Sequence, residues 1–326
     1  MAFSDIIFKD SNFDFEAVAI ATFRYQFRHV AIYRSFCELM GKHPDNVTSI
    51  AEIPFLPILF FKTHEVLSDE VQASVIFESS TTTSTIPSKH FVADEMIYQT
   101  SFVKGFEQVY GEVSNFAVLG LLPSYLERQN SSLVYMVNDF IAKSKYSDSA
   151  FFMHDFEKLA STLDNLMAKK TPVLLIGVTY ALLDFGAYYN KPLTGVIVME
   201  TGGMKGKREE LTKAEVHGIL KAHFRVDKIH AEYGMTELLS QAYSLGDGLF
   251  QTPNWMRVLI RDSYAPNFYI EKNRTGGINV IDLANYYSCS FIETSDMGKL
   301  TENRCFEVLG RIDTAEIRGC NLMYEG

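Results

Sequence analysis

The stretch FESSTTTSTIPSKHF, residues 77–91, decides how the rest of the chain is read. Eight of the twelve residues from Phe77 to Ser88 are Ser or Thr, and Lys89 follows them. The run ASVIFESS (73–80) reads as a short strand leading straight into these hydroxyls. A strand that ends in a loop of backbone N–H groups is a receptor for phosphate, because successive amides form a positive concavity. Ser79, Ser80, Thr82 and Thr83 add hydroxyl donors to such a loop, and Lys89 adds a cation. The same composition also fits a solvated, flexible Ser/Thr loop. Taken alone, the stretch leaves both readings open.

The surroundings narrow the choice. The chain has 326 residues, 47% hydrophobic and 21% charged, an ordinary globular composition with enough apolar matter for one large domain or two lobes. Forty acidic against thirty basic residues give a net charge of −10, and no basic run occurs. Nucleic acid is therefore excluded as the main partner, since phosphate-backbone binding draws on clustered Lys and Arg. An anionic ligand needs a local site in an acidic protein. The four cysteines, Cys37, Cys289, Cys305 and Cys320, show neither a CxxC pair nor metal-ligand spacing. No basic leader precedes an apolar block at the N-terminus, and the longest apolar runs fall short of the ~20 residues that span a bilayer. A soluble, cytoplasmic protein is expected.

Along the chain, residues 14–40 read as one helix closed by Gly41. Strand-like runs then alternate with amphipathic helices: VSNFAVLGLLPS, the helix–strand–helix from 156 to 189, LTGVIVMETGG with its charged helix, and DKIHAEYGMTELLSQAYS. From about residue 250 the texture becomes short alternating stretches between Gly, Asn and Asp turns, the pattern of a small antiparallel sheet or partial barrel. The predicted class is α/β, large β-sheets flanked by helices, with a β-rich lobe over about 250–310. Residues 1–310 are expected as the main domain and 311–326 as a hinge-like stub.

Three further segments carry chemistry. In AEYGMTE (231–237), Tyr233 can stack on a planar base, Gly234 can make a turn, and Glu237 can hold Mg²⁺, which takes one or two carboxylates plus substrate phosphates. In TSDMGKL (294–300), Asp296 can bind both ribose hydroxyls or simply begin a turn. In GRIDTAEIRG (310–319), Arg311 can fork onto phosphate or form a surface ion pair.

The order of these segments is more specific than any one of them. Hydroxyl loop, Gly-Gly turn, Tyr-Gly-x-Thr-Glu, Ser-Asp-x-Gly and Gly-Arg-x-Asp succeed one another in a way that resembles the adenylate-forming superfamily of acyl and aryl ligases. The opening FRYQFRHVAIYRSFC (23–37), with IPFLPILFFKTHEV (53–66), resembles one branch, the acyl-protein synthetases of bacterial luminescence, relatives of phenylacetate–CoA ligase. The resemblance implies that Ser79 to Lys89 form the ATP phosphate loop and that Gly202, Gly203 and Met204 flank adenine. It implies adenine stacking for Tyr233, phosphate binding for Thr236, Mg²⁺ binding for Glu237 and ribose binding for Asp296. Arg311 matches the arginine after it, and Asp313 the hinge. Thr81 and Ser84 stand where the family loop has glycines, and glycine reaches positive φ freely, so the loop is expected to be reshaped. Fifteen residues follow Arg311, so the mobile C-terminal domain of full-length ligases is expected to be missing.

The implied reaction uses ATP and Mg²⁺ to convert a carboxylic acid, fatty in that branch, into an acyl-adenylate. Lys89, Arg311, the loop hydroxyls and the Mg²⁺ on Glu237 would stabilise phosphate charge. A thiolate then takes the acyl group, with an acyl carrier or acyl-accepting protein as a further partner. Cys320, with Arg318 nearby, matches the nucleophile by position, while Cys37, Cys289 and Cys305 read as core. Residues 124–136, 149–156 and 176–183 are the segments implied near the acyl group, with His154 read as a structural histidine rather than a pocket group. Two other functions remain compatible: an ATP-independent acyltransferase, and a non-catalytic relative that binds an acyl group or nucleotide.

Overall fold

The computed structural model describes the chain except for residues 1–2, 10–11, 81–85, 125, 203–210, 264, 266–267, 271, 302–304 and 312–326. The first part is helical: α1 (Phe3–Lys9), α2 (Phe15–His29) and α3 (Ala31–Leu39). The single helix expected over 14–40 is therefore two. Val30 between them is extended and wholly buried, and the Gln26 amide donates to the carbonyls of Asn285 and Tyr286, tying the end of α2 to a distant turn. Gly41, at φ +65°, stops the helical run as a left-handed glycine does.

Next come β1 (Leu56–Pro57), α4 (Phe60–Thr63), the hairpin strands β2 (Val75–Glu78) and β3 (Lys89–Val92), and α5 (Glu95–Tyr110). An alternating series follows: β4 (Ala117–Leu121), α6 (Ser132–Lys143), β5 (Ala150–Phe151), α7 (Phe156–Ala168), β6 (Val173–Gly177), α8 (Thr179–Tyr189), β7 (Val196–Glu200), α9 (Lys213–Phe224) and β8 (His230–Tyr233). The chain continues through β9 (Ala242–Ser244), β10 (Leu249–Gln251), β11 (Met256–Arg261), β12 (Gly276–Asp282), β13 (Phe291–Leu300) and β14 (Phe306–Arg311).

β4, β6, β7 and β8 lie parallel, in register Val118↔Leu174, Leu174↔Ile197 and Met199↔His230. β4 (AVLGL) and β6 (VLLIG) are buried at every residue, as a parallel sheet covered on both faces requires. Their helices start on side-chain caps from Ser131, Asp155 and Thr212, each accepting a backbone N–H of the first turn. From β9 onward the pairing is antiparallel. The strands expected as a β-rich lobe are not hydrogen-bonded separately. β14 pairs with β10, which joins β11–β14 to the parallel half in one twelve-stranded sheet, while β2 and β3 form a small sheet of their own.

Gly298 shows how this half brings functional residues together. A Cβ there would overlap the Glu307 carbonyl oxygen and the Ile278 side chain, and the pairing of β13 with β14 shifts register between Met297 and Gly298. The shift leaves Asp296 opposite Arg311. Gly298→Ala is expected to destabilise the protein by about 1–3 kcal/mol, because backbone rather than a flexible side chain must move. Chemical denaturation would measure this, and an unchanged midpoint would show that the close approach is not a constraint.

Candidate active site

A cavity of about 490 Å³ opens where β8 ends, between the hairpin β2–β3, α6, and the paired strands β13 and β14. All five of the ordered sequence motifs contribute to its walls: Ser79 and Ser80; Gly202; Gly234, Thr236 and Glu237; Asp296; and Arg311. Thr82, Thr83, Thr81, Ser84, Gly203, Met204, Asp313, Arg318 and Cys320 lie outside the described residues.

The loop after β2 is closed by a reciprocal pair. Ser79 N–H donates to the Ser88 carbonyl at 3.0 Å, and Ser88 N–H donates to Ser79 Oγ at 2.9 Å. Lys89 does not line the cavity. Hairpin register sets it opposite Glu78, and its Nζ sits 3.4 Å from Glu78 Oε1 with the side chain about half exposed. Among the described residues, the cations that line the cavity are Lys62, Arg128 and Arg311.

Gly202 follows β7 at φ +76°, a left-handed conformation that glycine adopts freely, and its N–H donates to Glu200 Oε1 at 2.7 Å. Glu200 also accepts from Thr179 and Lys213, so this buried carboxylate fixes the turn at the end of the strand.

The Thr236–Glu237 segment is held from behind. His90 on β3 places Nδ1 2.8 Å from the Thr236 carbonyl and Nε2 2.9 Å from Asn285 Oδ1. Burial drives its pKa down to about 4, against the two hydrogen bonds, which raise it. Asn285 Nδ2 in turn donates to the Glu237 carbonyl at 2.8 Å. With its backbone clamped, Glu237 presents a buried carboxyl at the cavity wall, and burial raises its pKa. One such carboxylate fits a Mg²⁺ ion whose other ligands are substrate phosphates and water. Among the described residues, no cluster of three or more His, Cys, Asp or Glu suits an all-protein metal cage.

Asp296 meets two partners. Tyr233 Oη donates to its Oδ2 at 2.8 Å, and Arg311 Nε lies 3.7 Å from its Oδ1. The Arg311 side chain is 87% exposed, so solvent screens this ion pair and it adds little stability. Burial still leaves the Asp296 pKa above its ordinary value. Tyr233 itself does not line the cavity: its ring packs edge-on to Phe306 and tilted to Phe250, at 5.4 and 5.9 Å between centroids.

Of the segments expected near an acyl group, 124–136 lines the cavity through Arg128, Ser131, Ser132, Leu133 and Met136, and 176–183 contributes Val178. Residues 149–156 contribute none. His154 is a surface residue, with Nε2 2.9 Å from Glu127 Oε1 and the side chain 73% exposed. Cys37 and Cys289 are buried as expected, and burial pushes the Cys37 thiol up to about 12. Cys305 is only partly buried.

Sequence reasoning missed Tyr98, Glu232, Gln241, Lys62 and Ser295 on the cavity wall. Only Glu232 had a legible signal, a carboxylate immediately before Tyr-Gly on a strand whose neighbours are apolar. It is buried, and burial followed by the charge of Glu200 raises its pKa from an ordinary 4.5 to about 8. The folded state therefore holds one more proton than the unfolded state between those values. Stability falls as pH rises through that window, by up to ~1.4 kcal/mol per unit, and levels off above it. Glu232→Gln should remove this slope, making the variant the more stable protein at pH 7 and nearly equal to wild type at pH 4. Parallel curves for the two proteins in denaturation from pH 4 to 8 would rule out the buried neutral carboxyl.

The architecture is that of adenylate-forming enzymes. ATP-bound MatB from Rhodopseudomonas palustris superposes with a TM-score of 0.54 at 17% identity, over 72% of this chain and 47% of MatB. An open conformation of 2-hydroxyisobutyryl-CoA ligase, in complex with 2-HIB-AMP and CoA, gives 0.62 at 12% identity, over 91% of this chain and 74% of the ligase. The same ligase in its postadenylation state with R3-HIB-AMP gives 0.64 at 10%, over 91% and 67%. The chain spans about half the length of MatB. No curated protein matches it. The family model for the acyl-protein synthetase LuxE matches residues 8–325, and the chain belongs to that family, one of enzymes in the ligase and acyltransferase class.

Proposed function

We propose that this chain activates a carboxylic acid with ATP and passes the acyl group to a protein thiol. The observation that carries the reading is the meeting, in one cavity, of five separate segments that stand in the order of the adenylate-forming ligases. A carboxylate oxygen of the acid attacks the α-phosphorus of ATP. The bond to the bridging oxygen of the β-phosphate breaks, and pyrophosphate leaves. The Ser80 amide and the hydroxyls of Ser79 and Ser80 bind phosphate oxygens, Arg311 neutralises charge from the rim, and Asp296 holds the ribose. Mg²⁺ on Glu237, when bound, neutralises charge on the phosphates. In the second step a thiolate attacks the carbonyl carbon and AMP leaves, with Cys320 as the thiol and an acyl-accepting protein as final partner.

The first step is tested by ATP–pyrophosphate exchange with a panel of fatty and aromatic acids. Exchange should require Mg²⁺, and Asp296→Ala should raise the KM for ATP roughly 10- to 100-fold, the yield of hydrogen bonds to a charged group. A folded protein that supports no exchange with any acid would favour the ATP-independent acyltransferase. The second step has its own readout. After incubation with ATP, Mg²⁺ and an active acid, the protein should gain one acyl mass that neutral hydroxylamine removes, and Cys320→Ser should lose it. A label persisting in Cys320→Ser, or mapping to Cys37, Cys289 or Cys305, would reject that thiol.

Among the described residues no helix is long and apolar enough to cross a membrane.

A further inference from the structure

The hydroxyl loop brings no cation of its own to the cavity. Lys89, the lysine that follows the loop, is turned onto Glu78 at 3.4 Å and lies off the cavity wall. Lys62 lines that wall instead, partly buried, with no side-chain hydrogen bond or ion pair among the described residues. The short helix α4 holds it there from two sides. β1, just before α4, pairs with β13 at Leu56↔Ile292 and Pro57↔Glu293, and the Ile58 N–H donates to the Glu293 carbonyl at 2.9 Å. On the other side Phe61 is buried edge-on against His90 of β3, with 5.7 Å between ring centroids. Lys62 follows Ile58 and Leu59 at helical spacing, so the three share one face of the turn, and all three line the cavity.

Both anchors belong to the cavity wall. β13 carries Ser295 and Asp296, and β3 begins where the hydroxyl loop closes on Ser88. α4 is thereby fixed to both of the elements that bear those groups. The charge of the wall calls for a sheltered cation. Glu78, Glu232, Glu237 and Asp296 all line the cavity, and one Mg²⁺ still leaves a nucleoside triphosphate negatively charged. Arg128 and Arg311 are exposed, where solvent and salt screen their pull. Lys62 is better shielded, and its ammonium group offers three donors to phosphate oxygens as a point charge.

We propose that Lys62 binds the polyphosphate of the nucleotide, the part for which sequence order nominates Lys89. That role rests on the acyl-activation reading only in taking a nucleoside triphosphate with Mg²⁺ as the ligand. α4 packs on the strand that closes the hydroxyl loop, so the contact is assigned to the phosphates that this loop cradles, beyond the α-phosphate. As the bond between the α-phosphorus and the bridging oxygen breaks, charge gathers on the departing pyrophosphate, and Lys62 neutralises it.

Calorimetric titration of the full chain in Mg²⁺ with a non-hydrolysable ATP analogue, and separately with AMP, reads the contact without turnover. Lys62→Gln should weaken binding of the analogue roughly 10-fold, the lower end of what a hydrogen bond to a charged group yields, and change AMP by less than about 2-fold. Retained AMP binding also shows that the variant is folded. Lys62→Arg, which keeps the charge, should recover most of the affinity, and Lys89→Gln should cost less than Lys62→Gln. Unchanged analogue binding in Lys62→Gln, an equal loss for AMP, a larger loss in Lys89→Gln, or no binding of the analogue by wild type would overturn the assignment. ATP–pyrophosphate exchange separates this assignment from the wider reading. Analogue binding that depends on Lys62, with no exchange for any acid, would reject acyl activation and leave Lys62 standing. Exchange with the same KM for ATP in wild type and Lys62→Gln would reject Lys62 and leave acyl activation standing.

Discussion

The carboxylate of Asp282, wholly buried at the end of β12, accepts the Leu239 and Ser240 amides at 2.8 and 2.9 Å, the Ser240 hydroxyl at 2.6 Å and the Ala284 amide at 3.1 Å. Burial raises its pKa to about 6 even against those four donors. The Ser240 hydroxyl oxygen also accepts from Trp255 Nε1 at 2.9 Å, which ties the clamp into the aromatic core. Three residues on, Asn285 takes the Glu237 carbonyl, and His90 reaches both Asn285 and Thr236. The loop after β8 is therefore held by the turn after β12, across a large sequence separation. A loop that must present a buried acid to a ligand needs such backing, because its own backbone has few internal partners. Gln26 on α2 grips the same turn, so the helical N-terminal part braces the site without touching the cavity.

The electrostatics are uneven. Glu200, Glu232, Glu237 and Asp282 are all buried in a protein of net charge −10, and Asp296 lines the same cavity as Glu232 and Glu237. Their treatments differ. Glu200 is paired with Lys213, Asp282 is saturated by amides and hydroxyls, and Glu232 stays protonated. The cations facing the cavity, Lys62, Arg128 and Arg311, come from three unrelated segments. Attraction for an anion is thus short-range, and a diffusing anion meets net repulsion until it is within about a Debye length.

Much of this was legible in the sequence. The buried runs of β4 and β6, and the Tyr-Gly pair that ends β8, announce the parallel half and the loop at its edge, because turn chemistry and apolar runs are local properties. Side-chain direction was not legible. Lys89 looked like part of a phosphate cradle until hairpin register set it against Glu78. Tyr233 looked like a stacking platform, yet its ring lies among Phe250 and Phe306 and its hydroxyl on Asp296. Glu232, Gln241 and Tyr98 share a wall only because α5, β8 and β9 come together, and no spacing rule encodes that. The break at Val30 escaped for the same reason, since the partners that anchor the end of α2 are more than 250 residues away.

The Tyr233–Asp296 hydrogen bond changes how affinity for a nucleoside is to be counted. A diol arriving at Asp296 meets a carboxylate whose Oδ2 is already engaged, so it must replace the phenol or share the oxygen with it. Where the phenol is replaced, binding there is an exchange of partners at Oδ2, and that bond contributes only the difference between two bonds of similar kind. Ligands lacking one hydroxyl then forfeit less than their missing contacts imply. The displaced tyrosine, its hydroxyl set loose, becomes a reporter of occupancy built into the strand that leads to Thr236 and Glu237.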